Sequence, residues 1–287
     1  SQDGNSGDIK NGFNLFNTSV LSQEIIGGGP RRDGIPSIDF PKFTSIEEET
    51  FLNDDDVIIS VTIDEETRAY PFLILNWHEL VNDNIGETYF SVTYCPLCAT
   101  AFVIDRKVNG RLLTFGVSGL LFRDNLLMYD RQTESLWQQF SLQSIAGPQV
   151  KSELRWLFSE QMTFSAWREK YPEGMVLSTD TGFPNINNFS NGYTFNPYSQ
   201  YEGSPNPPRF SGDIRDDLPA KAIVFGIVID GVAKAYPRES LLSGVTFEDV
   251  VNSTAISLTF DEEADSIRVV ESDTGNEING VWSFWFA

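Results

Sequence analysis

The chain has 287 residues, 40% of them hydrophobic and 13% aromatic, which is enough apolar material for one large domain or two modest ones and excludes global disorder. Its net charge of −21 opposes nucleic acid and anionic membrane surfaces, so neither is expected as a partner. No apolar run approaches the roughly 18 residues of a membrane span, and the acids are scattered in the manner of a solvated surface.

The chain opens on Ser1–Asn11, a polar stretch that does not begin with Met. Residues 1–24 are expected to form a flexible tether of the kind that follows the lipid-bearing Cys of exported bacterial lipoproteins, with a simply trimmed start as the alternative. On this reading the protein is periplasmic or on the cell surface, with a lipid anchor before Ser1. Gly27-Gly28-Gly29-Pro30 marks an irregular loop. It lacks the GK[ST] of a phosphate loop, and Arg31 and Arg32 beyond it suit a solvated loop.

From Val57 the pattern becomes regular. Val57–Ile63 reads as a strand, Asp64-Glu65-Glu66 as a turn and Arg68–Tyr70 as a return strand. Pro71 opens a helix predicted over Phe72–Val81, with Leu75, His78 and Val81 toward one side, broken at Asn82–Asn84. Thr88–Tyr94 alternates as a strand and runs into Cys95. A hairpin is expected from Ala101–Ile104 and Arg111–Val117 around Asn109-Gly110, and another strand over Leu126–Asp130. Thr163 or Ser165 caps a short helix that Pro172 stops.

The chain also repeats itself. Val57–Pro71 aligns without a gap to Ile223–Pro237, sharing Ile-Asp and Ala-Tyr-Pro. Leu80-Val81-Asn82 is matched to Val250-Val251-Asn252, and Ser91–Tyr94 to Ser257–Phe260. Cys95 then faces Asp261 and Cys98 faces Ala264, so one copy alone carries thiols. The expected fold is mainly β (α+β with few short helices), built from two related β-hairpin–helix–strand units in one compact body. Residues 25–217 hold the first unit and a long connecting loop, and 218–287 hold the second, thiol-free unit. Within the Asn/Pro/Gly-rich linker Gly182–Asp217, Phe195, Tyr198 and Tyr201 are expected to pack on the body. Trp282–Phe286 is expected to be a core strand.

The two cysteines are Cys95 and Cys98, and the one histidine is His78. Two thiolates and an imidazole suit a soft metal, copper favoured and zinc as the alternative. The same C-x-x-C spacing serves thiol-disulfide exchange, with Cys95 as nucleophile, although a strand-like run rather than a helix follows it. A third reading is an inert disulfide in an envelope binding module. Antiparallel packing of the helix on its strand carries Cys95 about 23 Å back while His78 lies about 6 Å from the helix end, leaving ~15 Å between them. Glu79, Asp105, Met128 or Asp130 are the other candidates to complete a site. Ser118, in a degenerate nucleophile-elbow pattern, reads as a turn residue. Asp130 and Arg131 read as pocket-lining residues or an ordinary ion pair. The partner is expected to be a small molecule or an envelope protein.

Asp33-Gly34-Ile35-Pro36, Ala69-Tyr70-Pro71, Asn76-Trp77-His78-Glu79, Tyr94-Cys95-Pro96-Leu97-Cys98, Thr114–Leu120, Met128–Arg131 and Phe284–Ala287 resemble the bacterial domain-of-unknown-function family 3179 over about residues 25–287. The resemblance implies an exported protein or lipoprotein with no established activity. It also implies that Asn-Trp-His-Glu and Tyr-Cys-Pro-Leu-Cys are family motifs, which favours one shared site for His78, Cys95 and Cys98.

Overall fold

A computed structural model describes residues 8–187, 192–207 and 216–285. Ser1–Gly7 of the expected tether, linker positions 188–191 and 208–215, and Phe286 and Ala287 lie outside the described residues. The fold is mainly β with a few short helices, as the alternating runs predict.

Two sheets enclose the first core, and the thiols pack between the second of them and a third sheet. Val57–Ile63 and Glu66–Pro71 form a hairpin in a five-stranded sheet, flanked by Glu160–Thr163 on one edge and by Met175–Leu177 and Phe43–Ser45 on the other. Leu80–Ile85, Thr88–Cys95 and Thr100–Asp105 form an antiparallel meander with Trp156–Leu157 at its edge. Ile59, Tyr70, Ile74, Leu75, Phe90 and Val92 are buried between these layers. A third sheet stacks Phe115–Phe122 between Asn125–Asp130 and Ile25–Gly27. Ser118 and Gly119 form a bulge in its central strand, because Val117 and Leu120 face consecutive residues of the partner strand. Gly119 takes φ +71°, and a Cβ there would lie 2.3 Å from the Pro30 oxygen, so the bulge requires glycine.

Three expectations are corrected. The helix is Phe72–His78, not Phe72–Val81. Glu79 adopts a left-handed conformation at φ 58°, and Leu80–Ile85 continues as a strand paired to Thr88–Cys95. Asn82–Asn84 are thus sheet residues, and the buried Asn82 amide bonds Asp39, Phe115 and Ser91 across layers. Second, the Asn109-Gly110 turn is present, but it joins the two-residue strands Lys107–Val108 and Arg111–Leu112. Third, the expected tether is packed from residue 8 onward. Ile9–Lys10 and Phe13–Asn14 pair around Asn11-Gly12, and Phe13 and Leu15 enter a core. Other expectations hold: Thr163 caps Phe164–Lys170, and Gly280–Phe284 is a buried strand.

The internal repeat is a structural repeat. Strands starting at Val57, Glu66, Leu80, Thr88 and Thr100 recur at Ile223, Val232, Thr246, Thr254 and Ser266, in each case 166 residues later and with equal length. Leu80-Val81-Asn82 therefore corresponds to Thr246-Phe247-Glu248, four residues before the match read from the sequence. The true equivalents differ in identity, and only pairing reveals them. A polar triad recurs with the strands. The Tyr70 hydroxyl donates to Asp83 at 2.7 Å, and Arg68 bonds the same carboxylate. The Tyr236 hydroxyl donates to Asp249 at 2.9 Å, and Lys234 pairs with it. In each copy this pins the hairpin to the next strand. The helix is not repeated, since only a single turn, Arg238–Ser240, stands in its place.

The first triad is the more buried, with Tyr70 fully enclosed and the Asp83 side chain 6% exposed against 18% for Asp249. Removing a hydrogen bond from a buried carboxylate costs roughly 2 kcal/mol. Tyr70→Phe is therefore expected to lower the unfolding free energy in urea by about that amount, and Tyr236→Phe by clearly less. Equal losses would contradict the difference in burial.

Candidate functional site

Cys95 ends the Thr88–Cys95 strand, and Pro96–Ala99 turn the chain into Thr100–Asp105. Cys95 and Thr100 are partners in the ladder, and Ala99 closes the loop in a left-handed conformation at φ 54°. This tight loop points several backbone N–H groups inward. The Cys98 amide bonds the Cys95 oxygen at 3.1 Å. Both cysteines are reduced and buried.

Their ionisation is unequal. Burial opposes charge on Cys95, but the adjacent Cys98 side chain and the backbone N–H groups of Leu126, Cys98 and Leu97 outweigh it and hold Cys95 below the usual thiol value. Burial drives Cys98 well above that value, and the Cys95 charge adds to the effect. Cys98 is thus the proton-bearing partner. Its sulfur lies 3.4 Å from the Asp124 carbonyl oxygen and 3.6 Å from Asn125 Nδ2. Asn125 is fixed in turn by Gln139, which also bonds Thr100 and Thr93. Behind the loop, the Phe284 amide donates to the Cys98 oxygen at 2.9 Å, so the final strand of the second unit braces the thiols of the first.

Of the candidate residues, Glu79 is the one brought to the cysteines. The Tyr94 amide donates to the Glu79 oxygen at 2.8 Å, so Glu79 extends the ladder opposite the residue before Cys95. Burial, followed by repulsion from Cys95, raises its carboxyl to about 8. The Tyr198 hydroxyl lies 3.5 Å from Glu79 Oε1.

His78 is occupied elsewhere. Its Nδ1 lies 2.7 Å from the Pro36 oxygen and its Nε2 2.6 Å from the Tyr193 hydroxyl. Burial lowers its pKa to about 4, so it is neutral. Among the described residues no group of three His, Cys, Asp or Glu side chains is placed to hold one metal ion. His78, Cys95 and Cys98 therefore do not form a three-ligand set. The short helix contributes: it ends at His78, and Glu79 joins the ladder opposite Tyr94, the residue before Cys95.

The remaining candidates have structural partners. Asp105 pairs with Arg155 at 2.5 Å. Ser118 Oγ donates to the Leu127 oxygen, and Met128 is core in the apolar cluster that contains both cysteines. Asp130 accepts from Thr133 and from Trp137 Nε1 at 2.9 Å. Arg131 bonds Asp39 and Ser37.

Part of the expected linker covers the site, as its aromatics suggest. The Tyr201 hydroxyl donates to the Leu97 oxygen at 2.7 Å, and Trp77 Nε1 donates to the Phe195 oxygen at 3.1 Å. Lys221 Nζ bonds the backbone oxygens of Tyr201, Glu202 and Ser204 and lies 3.9 Å from the Tyr201 ring centroid. Tyr94, Asn125, Gln139 and Tyr198 escaped sequence reasoning because no spacing links them to the cysteines.

The model of the family described as "Protein of unknown function (DUF3179)" matches residues 32–284. No match was found among curated proteins or among solved structures.

Glu79 and His78 give opposite pH signatures. Folding raises Glu79 from 4.5 to about 8, so its contribution to stability is complete below pH 4.5 and lost as pH rises through 8. Folding lowers His78 from 6.5 to about 4, so its contribution is present above pH 6.5 and lost as pH falls through 4. Between pH 6.5 and 8 the Glu79 effect is the one of the two that varies. There, urea denaturation of wild type is expected to lose about 1.4 kcal/mol per pH unit relative to Glu79→Gln. Parallel profiles would contradict the buried, protonated carboxyl.

Proposed function

We propose that this chain, which belongs to the DUF3179 family, is a thiol-disulfide oxidoreductase with Cys95 as nucleophile and Cys98 as resolving thiol. The observation that carries the reading is the unequal pair: Cys95 held below the ordinary thiol value by the adjacent Cys98 side chain and backbone N–H groups, and Cys98 held above it. Thiolate, not thiol, is the attacking species.

In the proposed cycle the Cys95 thiolate attacks one sulfur of a substrate disulfide. A mixed disulfide forms, the substrate S–S bond breaks, and the departing thiolate takes the proton of Glu79. Cys98 then gives its proton to the Glu79 carboxylate and attacks the Cys95 sulfur. The second substrate thiolate leaves as a Cys95–Cys98 disulfide forms. Glu79, raised to about 8, suits a group that gives and regains a proton near neutral pH. Because both sulfurs are buried, the Tyr198–Tyr201 segment must move aside for a protein disulfide to reach Cys95. The exported setting read from the sequence belongs to the same proposal, since disulfide exchange is sustained outside the reducing cytoplasm.

The second reading is a soft cation, copper favoured, bridged by the two sulfurs alone. The Cys98 N–H donating to the Cys95 oxygen favours it, because that turn holds both cysteines in one loop. Copper retained equally by wild type and His78→Ala, and lost in Cys95→Ser, is its signature.

Incubation with glutathione disulfide separates the two, read by intact mass. Cys98→Ser is expected to accumulate a glutathione adduct on Cys95, wild type to release it as an internal disulfide, and Cys95→Ser to form none. An adduct confined to Cys98, or none in any variant, would contradict the oxidoreductase.

A further inference from the structure

In the first unit both strands that flank the mouth of the core have their outer edges occupied. Met175–Leu177 adds to Glu66–Pro71 as a parallel strand, with Met175 beside Arg68 and Val176 beside Ala69. Its side chains alternate between faces: Leu177 joins Tyr70 in the core, and Val176 joins Ala69 in a second apolar cluster. Ile38 meets the next strand, donating its N–H to the Leu80 oxygen at 2.9 Å and accepting from the Asn82 N–H at 2.8 Å. Ala69 and Val81 are fully enclosed.

The second unit repeats the strands without these partners. Val232–Pro237 and Thr246–Val251 each end their sheet, and no strand among the described residues lies beyond either. Ala235, the counterpart of Ala69, is exposed, and Phe247, the counterpart of Val81, is 49% exposed. Residue identities change in the same sense. Val232 and Val250 stand where the first unit has Glu66 and Asn84, so two surface positions that are polar in one copy are apolar and exposed in the other. On the opposite face of the hairpin, Val228 pairs with Ala233, and both open with Ala235 and Phe140 on an apolar cavity of about 720 Å³. Lys234 does not guard the edge, because Asp249 takes its ammonium, just as Asp83 takes Arg68 beside the occupied edge of the first unit.

An unpaired edge with apolar faces is a template for a further strand. Charge narrows which strand. Asp230, Glu239 and Glu248 are exposed around the edge, whereas Lys234 and Arg238 are neutralised by Asp249 and Asp265. A second copy of this chain is disfavoured by its charge of −21. Two-fold antiparallel pairing centred on Lys234-Ala235 would also bring Asp230 of one copy toward Glu239 of the other. A segment with basic ends meets the same rim favourably.

We propose that Val232–Pro237 is a docking edge for an extended segment of a partner protein, apolar in its middle and basic at its ends. The segment adds as a strand where Met175–Leu177 adds in the first unit. This interaction is independent of the thiols, so its failure leaves the oxidoreductase reading standing.

The test is fluorescence anisotropy of a labelled peptide, Met-Val-Leu-Ser between two lysine pairs, titrated with the full-length protein. The peptide carries the strand that fills the first unit's edge and contains no cysteine. Saturable binding is expected, and the same peptide between glutamate pairs is expected not to bind measurably. A strand added to an edge turns every second N–H toward it. N-methylation of alternate peptide residues is therefore expected to abolish binding in one phase and to leave it in the other. Val232→Glu, which installs the residue the first unit carries, is expected to weaken binding about tenfold, although its charge alone would strengthen it. No saturable binding, equal binding of the two N-methylated peptides, equal binding of the lysine and glutamate forms, or binding unchanged by Val232→Glu would overturn the proposal. So would a dimer in sedimentation that Val232→Glu dissociates, which would place a second copy on the edge.

Discussion

The proposed thiol chemistry rests on the surroundings of one buried sulfur, that of Cys95. Inside a low-dielectric core a thiolate is disfavoured, and Cys95 is fully enclosed. Burial is offset by the adjacent Cys98 side chain and by the backbone N–H groups of Leu126, Cys98 and Leu97, which together hold Cys95 below the ordinary thiol value. Leu97 and Cys98 share the Pro96–Ala99 loop, while Leu126 belongs to the Asn125–Asp130 strand. Ala99 must hold its left-handed turn, the third sheet must dock on the meander, and Cys98 must keep its proton. Burial, and after it the same charge, raises Glu79, so a negative Cys95 favours the proton staying on Glu79.

The duplicated architecture separates scaffold from chemistry. Both copies keep the hairpin, the meander and the basic–Tyr–Asp triad, which is what folding a unit of this topology requires. Only the first copy adds a full helix, and with it the turn at Glu79. In the second copy Asp261 and Ala264 stand where Cys95 and Cys98 stand in the first, and Val245 stands for Glu79. The second copy still contributes, because its last strand donates the Phe284 amide to the thiol loop. Its role at the site is mechanical support.

Much of this was legible in the sequence. Alternation marked the strands, Asn109-Gly110 marked a turn, Ala-Tyr-Pro exposed the repeat, and C-x-x-C marked the loop on which the proposal rests. The helix end was not legible. Leu80 and Val81 continue the apolar period of Phe72–His78, and nothing local distinguishes a third helical turn from a strand start, so tertiary pairing with Thr93 and Val92 decides. That single boundary determined the site. A helix extended to Val81 leaves His78 ~15 Å from Cys95; with the helix ended at His78, Glu79 turns back along Tyr94 and His78 is fixed by Pro36 and Tyr193. The second repeat's register failed for a related reason. Thr246-Phe247-Glu248 shares a pairing partner with Leu80-Val81-Asn82, not a composition, and register is set by hydrogen bonds across the sheet.

The ultraviolet thiolate absorbance, titrated in wild type, Cys95→Ser and Cys98→Ser, tests the unequal pair most directly. The account predicts one thiolate in wild type that ionises below the ordinary cysteine range and disappears in Cys95→Ser, with Cys98 contributing only above that range. Two thiols ionising together at the ordinary value, or an early thiolate that survives in Cys95→Ser, would contradict it.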